Sequence, residues 1–119
     1  MPPKVLVIAG THSGVGKTTL LTKLIPMLKT EGLKVGVIKH AHHKVDVDKP
    51  GKDSYELRKS GAGQVLLATA HRWALMVEEE SDGDPDLQIM LQRLDASQLD
   101  LILVEGFRHV PFPKIELHR

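Results

Sequence analysis

The chain of 119 residues contains no cysteine. That excludes disulfides and thiolate metal sites, and a reducing cytoplasm is the simplest setting for such a composition. Asparagine is missing as well, so the Asn-Lys-x-Asp signature with which Ras-like GTPases read guanine is excluded. Charge is nearly balanced, with 16 Lys and Arg against 15 Asp and Glu. Nothing in that balance argues for general binding to nucleic acid or to a membrane surface. No apolar run approaches the roughly 20 residues of a membrane-spanning helix. Lys4 and Gly10 interrupt the apolar stretch that a secretory leader would need. Repeats and low-complexity tracts are also missing. What is there is an ordinary globular composition, 41% hydrophobic and 26% charged. It predicts a single domain over residues 1–119, large enough to bury one core.

The most informative stretch follows the apolar run Lys4-Val5-Leu6-Val7-Ile8-Ala9. It reads Gly10-Thr11-His12-Ser13-Gly14-Val15-Gly16-Lys17-Thr18-Thr19. A β-branched strand, a glycine-rich turn and Gly-Lys-Thr opening an amphipathic helix form the layout of a P-loop, which cradles nucleotide phosphates. Gly14 and Gly16 permit backbone conformations that a side chain forbids and a close approach to phosphate oxygens. The amides of about residues 13–19 can line an anion nest, helped by the positive end of the following helix. In this arrangement Lys17 offers its ammonium to the β- and γ-phosphates, Thr18 its hydroxyl to Mg²⁺, and Thr19 reaches a more distal oxygen. The strict pattern is not met in full, because Thr11 stands where its first glycine belongs and Gly10 comes one place early. His12 occupies the position of the signature lysine of ParA-like ATPases, which disfavours that subgroup.

Periodicity predicts strands over 4–9, 34–39, 64–68, 72–77 and 99–104. It predicts helices over 17–30, 52–60 and 86–95, and a last strand-like segment over 114–119. In the first helix the apolar positions are Leu20, Leu21, Leu24, Ile25, Met27 and Leu28. Pro26 removes one backbone donor there and predicts a kink or local loosening, and Gly32 marks the end. Residues 78–86 are acidic and turn-rich, hence a surface loop. Apolar strands alternating with helices imply a three-layer α/β fold with a mostly parallel sheet covered on both faces. Ligands of such sheets sit outside the carboxyl ends of the strands, where the P-loop, residues 39–54 and Glu105 should converge.

Glu105 closes the fifth strand and is the candidate Walker B carboxylate, holding Mg²⁺ directly or through water. Asp100 lies at the other end of that strand and is the weaker candidate. Asp46 and Asp48 follow the second strand. Either is a second Mg²⁺ partner or positions the attacking water; alternatively both are solvated acids on a short edge strand. His40, His42 and His43 are poorly spaced for tetrahedral zinc and read as solvated or phosphate-facing imidazoles. Lys39, Lys44, Lys49, Lys52, Arg58 and Lys59 make the region basic, which suits a second phosphorylated ligand or a solvated face.

Five stretches together carry a family resemblance. They are Ser13-Gly14-Val15-Gly16-Lys17-Thr18-Thr19-Leu20, Ile38-Lys39-His40-Ala41-His42-His43, Asp46-Val47-Asp48-Lys49-Pro50-Gly51-Lys52-Asp53-Ser54, Arg72-Trp73-Ala74-Leu75-Met76 and Leu99-Asp100-Leu101-Ile102-Leu103-Val104-Glu105-Gly106-Phe107. The chain closely resembles the MobB family, molybdopterin-guanine dinucleotide biosynthesis protein B. The resemblance runs from the first strand to the last residue, and the family continues several tens of residues further. It implies a cytoplasmic, usually dimeric GTP-binding protein with weak GTPase activity. Such a protein assists the MobA-type guanylyltransferase that joins GMP to molybdopterin, and molybdopterin itself is a further possible ligand. It also implies GTP phosphates on Ser13, Gly14, Val15, Gly16, Lys17, Thr18 and Thr19, Mg²⁺ at Thr18 and Glu105, and a catalytic role for Lys17 together with Asp48 near the γ-phosphate. The alternative is a P-loop small-molecule kinase using ATP, with Arg58, Arg72, Arg93 or Arg108 on the transferred phosphoryl group. No arginine-rich lid segment supports the kinase, and no evident arginine finger in cis supports rapid hydrolysis.

Overall fold

Consecutive apolar residues on short strands give a sheet two faces to bury, and the arrangement of elements follows from that need. The computed structural model describes residues 2–10, 16–41, 47–79, 83–107 and 110–117. In chain order the elements are β1 (Lys4–Gly10), α1 (Lys17–Thr30), β2 (Val35–Lys39), α2 (Asp53–Lys59), β3 (Gln64–Ala68), β4 (Trp73–Val77), α3 (Leu87–Leu91), a 3₁₀ turn (Ala96–Gln98), β5 (Leu101–Glu105) and β6 (Lys114–Leu117). The chain divides into two compact units, Met1–Ala41 with Pro85–Arg119, and His42–Asp84.

The first unit is a parallel four-stranded sheet in the order β2-β5-β1-β6. Its two central strands supply the core. Val7, Ala9, Ile102 and Val104 face one side and bury with Leu87 of α3. Ile8 and Leu103 face the other and bury with Leu21 of α1. This is the period-2 pattern of strands covered on both faces, and it gives the three layers expected. On α1 the stripe Leu21, Leu24, Ile25 and Leu28 turns inward, while Met27 is 65% exposed, off the stripe and not part of the core.

The ends of α1 explain its length. Gly16 is the N-cap residue at φ 94°. Past the other end, Gly32 at φ 81° donates to the Lys29 carbonyl and Leu33 donates to that of Leu28, the paired bonds of a Schellman stop. The helix continues through Pro26 to Thr30. By contrast α3 is regular for only five residues. Asp86 caps it through the Gln88 amide at 2.8 Å. Beyond it the bonds of Gln92, Arg93 and Leu94 reach back three residues rather than four, so the predicted helix over 86–95 tightens after its first turn.

The second unit corrects one expectation. β3 and β4 are not members of the parallel sheet; they pair with each other, antiparallel, as a separate hairpin. Thr69 closes the connection, its amide donating to the Arg72 carbonyl at 2.8 Å and its hydroxyl accepting from the His71 and Arg72 amides. A link this short cannot return a strand in parallel. One hairpin face presents Leu66, Leu75, Trp73 and Val77, exposed by 61%, 49%, 69% and 46%. Among the described residues no helix is long and apolar enough to cross a membrane.

The two strand environments predict opposite mutational costs. Leu103→Ala, at a fully buried site, is expected to lose about 2–5 kcal/mol of stability. Leu66→Ala on the open hairpin face is expected to lose under about 0.5 kcal/mol. Urea unfolding of both variants checks this, and comparable losses would show that the hairpin face is covered in solution.

Candidate nucleotide-phosphate site

Of the stretch that signals the site, β1 and the residues from Gly16 onward are described; His12, Ser13, Gly14 and Val15 lie outside the described residues, as do His42, His43, Asp46 and Arg108. A Cβ on Gly16 would meet nothing within 4 Å, so glycine is required there by its positive φ rather than by space. α1 carries no acidic residue of its own in its first turn, so no carboxylate within the helix offsets its positive end. Lys17 opens that turn half-buried, and Thr18 and Thr19 follow exposed.

Glu105 completes the constellation. It ends β5, which lies between β1 and β2, and its Cα partners are Ile8 and Lys39. It is 7% exposed. The Thr18 hydroxyl donates to Glu105 Oε1 at 3.3 Å, joining residues 87 apart in the chain. The Lys39 ammonium stands 3.9 Å from Oε2. The competing carboxylate is accounted for elsewhere: Asp100, at the amino end of β5, accepts from the Lys34 amide at 2.8 Å. The predicted pair Thr18 and Glu105 is therefore brought together at the carboxyl edge of the sheet. Two hard oxygen donors side by side fit Mg²⁺, which takes few protein ligands and fills its octahedron with water and phosphate oxygens. No group of three or more His, Cys, Asp or Glu suited to a metal occurs among the described residues; His42 and His43 lie outside them.

The turn after Glu105 adds a feature that periodicity did not reveal. Gly106 has φ 98° and donates to the Ile8 carbonyl at 3.1 Å. The His40 amide donates to the Glu105 carbonyl at 2.9 Å. A Cβ on Gly106 would lie 2.8 Å from the His40 Cβ, so the close approach of the two segments excludes any side chain. Phe107 follows at φ 53°, and its ring stacks on His40 with centroids 4.7 Å apart. A non-glycine residue at positive φ beside a site is strain held by its surroundings. The Glu-Gly-Phe string was the available signal, but its partner His40 is 67 positions away by the chain numbering.

Asp48 belongs to the second unit. Its Oδ1 accepts from Arg58 Nη2 at 2.6 Å, while Arg58 Nη1 donates to Glu78 Oε1 at 2.8 Å. The Arg58 side chain is 9% exposed and lies 5.4 Å from the Tyr55 ring centre. The hydrogen bond from Arg58 holds the Asp48 carboxyl below its ordinary value; burial opposes this, and Ser54 adds a smaller downward contribution. With its guanidinium engaged by two carboxylates, Arg58 is a poor arginine finger. Apolar grooves also line the far edge of the first unit. One of about 460 Å³ beside Ile25, Leu33, Val35 and Leu99 lies at the amino end of β2, away from the strand ends that carry Lys39 and Glu105.

The depressed Asp48 value fixes the sign of a pH effect. Folding favours the ionised form, so its contribution is complete above the ordinary carboxylate range and is lost as pH falls through that range toward the lowered value. Asp48→Asn should therefore be less stable than the parent near neutrality and lose less on acidification. Unfolding curves between about pH 7 and about pH 3 test this; parallel profiles for the two proteins would refute it.

Comparison with known proteins places the chain. Residues 5–119 match the family model "Molybdopterin guanine dinucleotide synthesis protein B", MobB. The chain is 60% identical over 107 residues to the molybdopterin-guanine dinucleotide biosynthesis adapter protein of Escherichia coli K12, covering 90% of this chain and 61% of that protein. The protein of the same name from Haemophilus influenzae is 50% identical over 91% of this chain and 60% of its own length. A crystal structure titled molybdopterin-guanine biosynthesis protein B superposes with a TM-score of 0.74 at 31% identity, over 97% of this chain and 69% of that one. The chain thus spans about three-fifths of the length of the two curated relatives. With a strand at Lys4–Gly10 followed by a helix at Lys17–Thr30, a parallel sheet and a matched family model over nearly its whole length, this chain belongs to the MobB family and has its P-loop α/β fold.

Proposed function

We propose that this chain is a GTP- and Mg²⁺-binding accessory protein of molybdenum cofactor biosynthesis, assisting the guanylyltransferase that attaches GMP to molybdopterin. The observation that carries the reading is the Thr18 hydroxyl on the Glu105 carboxylate at 3.3 Å, one residue along α1 from Lys17. Ser13, Gly14, Val15, Gly16, Lys17, Thr18 and Thr19 would hold the phosphates, through amides, the helix end and the lysine. Thr18 and Glu105 would hold Mg²⁺, which when bound supplies positive charge to the phosphate oxygens. In this reading the residues around Glu105 act by binding and orienting.

Support for an accessory role comes from the relatives, which are named adapter proteins. Guanine preference, a homodimer, contact with the guanylyltransferase or molybdopterin, and a cytoplasmic setting are parts of the same proposal and rest on family membership. A catalytic part for Asp48 is carried forward from the family resemblance, with the support that Arg58 keeps its carboxylate ionised. Turnover should be slow, since catalysis of phosphoryl transfer needs positive charge on the transferred group and Arg58 is held by Asp48 and Glu78.

Calorimetry with GTP, GDP and ATP, with and without Mg²⁺, tests the proposal. GTP is expected to bind with Mg²⁺ dependence, and Lys17→Ala to weaken it by at least about tenfold. Glu105→Gln should keep metal-free nucleotide binding and lose the gain that Mg²⁺ brings. No affinity for GTP with Mg²⁺ would remove the reading. ATP preference with phosphate transfer to an added metabolite would replace it with the kinase.

A further inference from the structure

The two oxygens of the Glu105 carboxylate face different partners. Oε1 takes the Thr18 hydroxyl and Oε2 faces the Lys39 ammonium. The environments are unequal, with the Glu105 side chain 10% exposed and that of Lys39 62% exposed. A largely solvated lysine 3.9 Å from a carboxylate is a weak and exchangeable partner. A buried carboxylate, however, is costly without a counter-charge. Lys39 therefore holds a position it can leave, beside a charge that needs neutralising with or without a metal.

Strand register places Lys39 there. It is the Cα partner of Glu105 in the β2–β5 pairing, and the next residue, His40, donates its amide to the Glu105 carbonyl. The lysine stem is thus anchored at the strand end while its ammonium is free to swing. We infer that Lys39 couples metal binding to nucleotide binding. It neutralises Glu105 when no metal is present, and a divalent cation taking the Thr18 and Glu105 oxygens must displace it, because two cations this close to one carboxylate repel each other. The released ammonium stays tethered at the carboxyl edge of the sheet, where a nucleotide's polyphosphate is the anion that receives it. Metal and nucleotide then favour each other by more than their direct contact, and linkage makes the effect reciprocal. This inference rests on reading the edge as a nucleotide and Mg²⁺ site.

Lys39→Met removes the charge and keeps the stem; Lys39→Arg keeps both. Mn²⁺, an oxygen-seeking octahedral substitute for Mg²⁺, is titrated into each protein and the free ion counted by electron paramagnetic resonance, without and with GTP. Without nucleotide, Lys39→Met should bind Mn²⁺ roughly three- to tenfold more tightly than the parent at low salt. The tightening of Mn²⁺ by GTP should shrink by a similar factor, and Lys39→Arg should behave like the parent. Equal, weaker or absent Mn²⁺ binding by nucleotide-free Lys39→Met overturns the role of Lys39. So does GTP binding by both proteins with the same Mn²⁺ coupling, which leaves the nucleotide site standing. Folded proteins that all fail to bind GTP overturn the nucleotide site and the coupling together.

Discussion

β5 is held on both edges, by β1 and by β2, and its three central residues are buried. A strand locked in this way cannot slip by one residue without turning its core side chains to the wrong face. Glu105 is consequently delivered to a fixed height, level with Ile8 before the glycine-rich turn and with Lys39 at the end of β2. The hydrophobic packing of Ile102, Leu103 and Val104 thus sets where a polar group stands. The chemistry of the edge is a by-product of how its core closes.

Around that carboxylate the chain has tightened its backbone. The amides of Gly106 and His40 bond to neighbouring strand ends, and Gly106 passes so near His40 that a methyl group would collide. Phe107 accepts an unfavourable backbone conformation and stacks on His40. These contacts tie the turn after β5 to the end of β2. They resist drift of Glu105 relative to Thr18, whose single hydroxyl contact at 3.3 Å would not hold a loose carboxylate in place. An oxygen pair held in this way would need little reorganisation to take up a hard cation.

The local signals were legible where one residue decides one boundary. α1 begins at Lys17 because Gly16 takes the left-handed turn, and it ends where Gly32 caps it; both glycines can be read without coordinates. β3 matched its expected span because its apolar run is bounded on each side by polar or small residues. Pairing was less legible. The apolar runs that marked β3 and β4 as strands say nothing about which sheet they join, although four residues between them already rule out a parallel return. Residue types and strand ends pointed to Thr18 and Glu105, which the fold brings into contact, and ranked Asp100 below them. Lys39 was visible only as one of several basic residues, because its distance to Glu105 comes from register between strands 66 positions apart. The Arg58 clamp on Asp48, ten residues away, was hidden for another reason: nothing local distinguishes a guanidinium on a phosphate from one on a carboxylate.

The hairpin face of the second unit carries the chain's single tryptophan, Trp73, 69% exposed beside Leu66 and Leu75. An indole in water emits at long wavelength, and one sealed under apolar surface emits further toward the blue. The chain therefore carries a built-in optical reporter for that face, with no second indole to blur the signal. Any partner, second copy or longer chain that settles over the hairpin announces itself in the intrinsic fluorescence without a label.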